Sequence, residues 1–266
     1  MLRSLFTGIS GLRAHQQMLD VTSNNIANVN TTGFKSSSTV FEDTLSQTIA
    51  GAGAPGANGG TNPMQVGLGV QLAGTETNFT QGSNQYTGRT SDLMLNGDGF
   101  FVVAKNGQQS YTRAGSFQLD AGGHLTAPDG SVVQDAAGGN LNLSALSGGT
   151  YKSWSISPQG VVNAVDTTGV TVPLGTIAVA TFANPGGLTK VGDTQYQVST
   201  NSGAAQIGAP DSGGRGSLTA GYLEMSNVDL AGELTNLIIS ERGFQANSRV
   251  ITTSDEVLQS LISLKN

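Results

Sequence analysis

The sequence predicts an α+β fold that is mainly β, with N- and C-terminal helices paired as an axial coiled-coil layer and an inserted antiparallel β domain. Three observations predict it. Apolar heptads occur at both ends and not in the middle, the middle switches to a period of two, and turn signals recur there about every ten residues.

At the N-terminus Leu5, Leu12, Leu19 and Ile26 fall seven apart, with Leu2 and Ile9 at the flanking half-heptad position. Residues 2–29 therefore read as one amphipathic helix. Leu230, Leu237, Phe244, Ile251 and Leu258 repeat the pattern at the other end, which predicts that the two termini meet as antiparallel partners. Gln16, Ser23, Glu241, Ser248 and Asp255 interrupt the half-heptad positions, so neither seam offsets its ordering entropy alone. The ends are expected to be poorly ordered in a monomer and helical where many copies pack.

The string NNIANVNTTGFK, Asn24 to Lys35, closes the first helix, because Asn, Thr and Gly33 compete with helical hydrogen bonding and favour turns. A weaker amphipathic piece runs from Val40 to Ile49 through Phe41 and Leu45. It dissolves into GAGAPGANGG, residues 51–60, which reads as a flexible or extended linker.

From about residue 75 to 216 the pattern is that of short antiparallel strands. Asn96-Gly97-Asp98-Gly99 precedes Phe100 to Val103, Lys105-Asn106-Gly107 leads to Tyr111, and Pro128-Asp129-Gly130 leads to Ser131-Val132-Val133. Pro158-Gln159-Gly160 and Thr168-Gly169 bracket Val161 to Val165, and Leu174 to Phe182 alternates as one half-buried strand. A helix returns near Ser226, where Ser226-Asn227-Val228-Asp229 has the spacing of a capping box. The predicted organisation is a helix and Gly-rich linker over 1–74, a β-rich outer domain over 75–216, and a C-terminal helix over 217–266.

The 266 residues carry 11% charged side chains, 38 glycines and a net charge of −6. Low charge with abundant Gly, Ser, Thr and Asn suits turns, strands and tight subunit contacts. Twelve scattered Lys and Arg leave no basic cluster for phosphates, which argues against a nucleic-acid partner. No cysteine is present, so disulfides, thiol catalysis and cysteine-ligated metals are excluded. MLRSLFTGISGL lacks the apolar core of a secretory signal, and no run is long enough to insert in a membrane.

The chemistry-bearing residues favour no enzyme. His15 and His124 sit in neither a nucleophile-elbow nor a metal-ligand spacing. Gly51 to Gly56 formally matches GxGxxG, yet no strand precedes it. Asp92, Asp98, Asp120, Asp129 and Asp135 lack the constant period of a calcium repeat and read as turn residues. Phe100, Phe101, Tyr111, Phe117 and Trp154 read as core. No catalytic, cofactor-binding or metal-binding residues are expected.

NNIANVNTTGFK resembles the signature of the flagellar rod, hook and hook-like axial proteins, carried here by Asn25, Asn28, Thr31, Gly33 and Phe34. GRTSDLMLNGDGFFVV, YTRAGSFQLDAGGHL, SNVDL and RGFQANSRVITTSDEVLQSLI are similar to strings of the same family, in the same order. RGFQANS and ITTSDEVLQ incline to the hook protein, whereas the length and the Gly/Ala-rich insertion are shared with the distal rod protein. The resemblance implies a short, flexible hook subunit, with the stiff distal rod as the alternative. It implies a homo-oligomeric helical polymer whose terminal helices form an inner tube and whose β domain forms the outer wall. Leu5, Ile9, Leu12, Leu19, Ile26, Leu230, Leu237, Phe244, Ile251 and Leu258 would be its subunit-packing residues. The implied partners are the distal rod protein, the hook cap and hook–filament junction proteins, and the flagellar type III export apparatus. The implied location is the extracellular flagellum, reached without cleavage of a signal peptide.

Overall fold

The computed structural model describes residues 2–55, 59–147 and 151–264, and the side chains of Leu2 and Ser147 lie outside that description, as does Gly56 of the glycine motif. Helix α1 spans Leu2–Ala27, a single turn α2 spans Ser144–Ser147, and α3 spans Leu230–Ser263. The strands between them pair antiparallel. Two compact units result. The first comprises Met1–Ala27, Ser37–Thr77 and Asp229–Asn266, and the second Asn28–Ser36 and Asn78–Val228.

In the first unit the strand Ser37–Asp43 pairs with Val70–Thr77, and Gln47–Ala50 pairs with Met64–Val66 as a ribbon. The stretch expected to be amphipathic from Val40 to Ile49 is thus two strands. Thr39, Val40, Thr44, Thr48 and Ile49 are β-branched, and that preference prevails over a short helical period. A bridge between Gly53 and Thr61 holds together the two ends of the Gly-rich segment.

In the second unit the strand Phe100–Lys105 is central to a nine-stranded sheet. Asn106 and Gly107, at φ 53° and 82°, turn it into Gln108–Thr112, a two-residue hairpin that suits the strand twist. Both faces of this strand are covered. Phe101 and Val103 enter one apolar cluster with Leu125, Val133 and Ile177, while Phe100 and Val102 enter another with Tyr111, Phe182 and Tyr196. Phe101 meets Phe117 edge-on at 5.2 Å. The aromatics expected in the core are therefore in it, with Trp154 half-buried against the first cluster. Leu174 to Phe182 is not one strand: Thr171–Thr176 belongs to a three-stranded sheet and Val179–Thr181 to the large one. Ile177 and Ala178 are both fully buried, so alternation fails where the chain changes sheets.

The β body continues to Glu224, and α3 begins later than the capping-box spacing suggests. Asp229 is its N-cap, accepting a hydrogen bond from the Ala231 N–H at 3.1 Å. Ser226 and Asn227 are engaged elsewhere, the latter accepting from the Ser36 N–H.

Asp129 illustrates the turn chemistry. Its carboxylate accepts from the Ser131 N–H and hydroxyl and from the Gln195 amide at 2.8 Å, and Lys105 lies 3.7 Å away. Burial pushes the carboxyl up, but these hydrogen bonds and the lysine outweigh it and hold the group below its usual 3.8. A depressed folded value means a contribution that is present above the unfolded value and lost as pH falls through the folded one. Asp129→Asn is therefore expected to lower the urea midpoint at about pH 7, with the gap from the native protein closing as pH falls through the carboxyl's depressed folded value.

Candidate functional site

Helices α1 and α3 run antiparallel in the first unit, and their contact face is small and polar. Ser4 meets Ser254 hydroxyl to hydroxyl at 3.3 Å, and a side chain at Gly11 would stand 2.6 Å from Asn247 Oδ1. At Gly243 it would stand 2.7 Å from Nδ1 of His15, so glycines on both helices permit the close approach. On α1 this face follows Ser4, Gly11 and Asn25, interleaved with Gly8, His15 and Thr22. On α3 it follows Glu233, Ser240, Asn247 and Ser254, again at intervals of seven. Gly8, Gly11, Ala14, Thr22, Asn25 and Ser240 are buried along it.

The leucine stripes run beside this face rather than along it. Leu5, Leu12, Leu19 and Ile26 occupy the next residue line and are half-buried, as are Leu237, Ile251 and Leu258. Ile9, Leu230 and Phe244 are exposed, Phe244 at 38%. At about 100° per residue, Leu230, Leu237 and Phe244 fall within about 40° of one another on one flank of α3. Ile239, Val250 and Val257 form a second line on the other flank, and Ile239 is 53% exposed. A single copy thus leaves apolar side chains exposed on both flanks of α3, Leu230 and Phe244 on one and Ile239, Val250 and Val257 on the other.

The motif residues split between the units. In the first, Asn25 is buried at the end of α1, where its amide donates to Ser37 O at 2.7 Å and Glu233 Oε1 at 2.9 Å. Its carbonyl accepts from the Ser37 N–H, so one side chain ties together the end of α1, the start of the next strand and the first turn of α3. In the second unit, Asn28 accepts from the Thr31 hydroxyl and the Phe34 N–H returns to Thr31 O, which closes the turn. Gly33, at φ +69°, donates its N–H to Glu224 O at 2.8 Å. The Lys190 ammonium stands 5.3 Å from the centre of the Phe34 ring.

A charged cluster that the sequence pattern did not point out lies behind this turn. Lys35 and Glu224 are fully buried, with Lys35 Nζ 2.5 Å from Glu224 Oε1 and 2.7 Å from Thr80 O. Arg113 Nη1 is 3.4 Å from Glu224 Oε2. Burial pushes the Lys35 ammonium below its ordinary value against the pull of Glu224, and acts on Arg113 in the same direction. Lys35 closes the NNIANVNTTGFK string and Arg113 lies within YTRAGSF. A pair separated by 189 positions has no periodic signature, and only the scarcity of charge marks these residues.

His124 Nδ1 lies 3.2 Å from Leu141 O, while Asp120 and Asp135 accept from the backbone N–H groups of His124 and Thr176. Among the described residues no three His, Asp or Glu side chains group as metal ligands, and no helix is long and apolar enough to cross a membrane.

Three family models match the chain. They are "Flagella basal body rod protein" over residues 5–35, "Flagellar hook protein FlgE/F/G D1 domain" over 94–164 and "Flagellar basal body rod FlgEFG protein C-terminal" over 219–264. The chain is 49% identical to the flagellar basal-body rod protein FlgG of Bacillus subtilis, in a match of 267 residues covering all of both chains. It is 37% identical to the FlgG of Borreliella burgdorferi, covering all of this chain and 99% of that one. The flagellar hook protein FlgE of B. burgdorferi is 29% identical, in a match of 442 residues covering all of both.

Proposed function

The chain belongs to the flagellar rod and hook protein family, and on that footing we propose that it is a subunit of the distal rod, the stiff drive shaft of the basal body. The hook expectation gives way because the rod-named relatives match end to end in 267 and 269 residues. The hook-named relative extends the match to 442, as an additional domain would require. Local strings such as RGFQANS do not separate rod from hook, since one C-terminal family model covers FlgE, FlgF and FlgG alike, whereas the lengths of the rod-named and hook-named matches differ.

As a structural member of this family the protein polymerises within the flagellar axis. We infer that the interface is the helix pair. Its intrachain face is built from glycines, hydroxyls and amides, while Leu230 and Phe244 on one flank and Ile239, Val250 and Val257 on the other remain exposed. Two different apolar patches on one helix suit two different neighbours, and such head-to-tail contacts propagate as a helix where the rotation does not close. Leu5, Ile9, Leu12, Leu19 and Ile26 on α1, with Ile251 and Leu258 on α3, would lie beside those contacts. The chain would leave the cell uncleaved through the flagellar type III apparatus and meet rod and hook proteins at its two ends.

Electron microscopy of flagellar bases from a strain lacking this gene is the direct test. Loss of the distal rod is expected. Bases with an intact rod that lack only the curved hook would overturn the rod assignment.

A further inference from the structure

Glu224 gathers the polypeptide segments that leave and re-enter the β body. Its Oε1 accepts from Lys35 Nζ and from the Gly82 N–H at 2.9 Å, its Oε2 faces Arg113, and its backbone carbonyl accepts from Gly33. Three residues later Asn227 accepts from the Ser36 N–H at 2.8 Å and donates to Asn78 O and Thr80 O at 2.8 and 3.1 Å. The Asn78 N–H returns to Ser36 O at 2.8 Å. Residues 33–36 are thus held by groups from two other segments of the body, 78–80 and 224–227.

We propose that Glu224, with Lys35 and Arg113, is a charge lock that fixes residues 28–36 on the β body in the unassembled subunit. The stub from which α1 extends is then already in place when a copy arrives at the growing end. This use in assembly rests on the polymer reading above; the lock itself is a property of the monomer. Two buried cations share one carboxylate, so the cluster is stable only when complete, and removing the carboxylate strands both positive charges in a desolvated site. Among the contacts described above for the α1–α3 face, Asn25–Glu233 is the one that reaches a charged side chain, and it carries no ion pair.

Hydrogen exchange on the full-length monomer tests this. In the native protein the amides of Gly33 and Ser36 are expected to be protected like those of the strand Phe100–Lys105, and α1 much less so. In Glu224→Gln the protection of residues 33–36 should fall about tenfold or more, with that strand changed by less than about twofold. If Glu224→Gln does not fold, Lys35→Met, which leaves Glu224 facing Arg113, reads the same local loss. Unprotected amides at 33–36 in the native monomer, α1 as protected as the stub, or an equal loss in the central strand would each overturn the lock. None of these outcomes bears on rod against hook, which the deletion strain decides separately.

Discussion

Replacing Phe244 by Asp is expected to abolish polymerisation and swimming while the melting of the monomer's β body stays where it was. In a single copy Phe244 is 38% exposed on the flank of α3, so the carboxylate of the variant is solvated and the fold tolerates it. In the assembly the same position would be covered by a neighbour. Burial of the ring, worth about 2 kcal/mol, is then lost, and desolvating an unpaired carboxylate costs several kcal/mol more. The penalty recurs at every subunit, so a modest local change prevents elongation altogether. Sedimentation of the purified protein, electron microscopy and motility plates give the three readouts. Ile239→Asp should fail in the same way, because its line would serve the other neighbour. Normal swimming by either variant would mean that its line faces solvent in the finished structure.

The largest effect on the monomer is expected from Gly33→Ala. A non-glycine residue at φ +69° costs about 1–2 kcal/mol in backbone strain. The added methyl would also stand 2.7 Å from the Ala114 Cα, where backbone rather than a flexible side chain must move. The two effects together should remove about 3 kcal/mol or more from the second unit, read as the change in urea midpoint multiplied by the slope. Gly107→Ala is the internal control. Its φ is 82° but nothing lies within 4 Å of the added methyl, so it carries the conformational cost alone. Equal midpoints for the two variants would show that the approach to Ala114 is relieved without cost.

What was legible in the sequence is what short-range physics writes there. Asn106-Gly107 and Pro128-Asp129-Gly130 mark turns through backbone preference, and Phe100 to Val103 marks a buried strand by an unbroken apolar run. The helices were legible through their sevens, but the face used inside the chain was not. Leu5 and Leu12 gave the louder signal, whereas Gly8, Gly11 and Gly243 make the contact by lacking side chains. The start of α3 was displaced because Ser226 and Asp229 offer similar caps locally, and only the engagement of Asn227 with Ser36 and Thr80 decides between them. Lys35, Glu224 and Arg113 meet across most of the chain, and nothing near any one of them announces the other two. The rod-named and hook-named relatives differ in the length of their matches, 267 against 442 residues, to which motif strings are blind.

The two apolar lines on α3 bear on a quantity that belongs to no single copy. A ring made of identical pieces counts itself, since the last piece meets the first. An object whose pieces carry one kind of surface forward and another kind back, with a rotation that never brings the last piece round to the first, has no such tally, and the piece at its tip is as ready for a successor as the first one was. A chain that assembles through these two lines would specify how the next copy sits but contain no number. A shaft of fixed reach built from it must take its measure from outside, from the supply of copies or from a barrier met by the advancing tip.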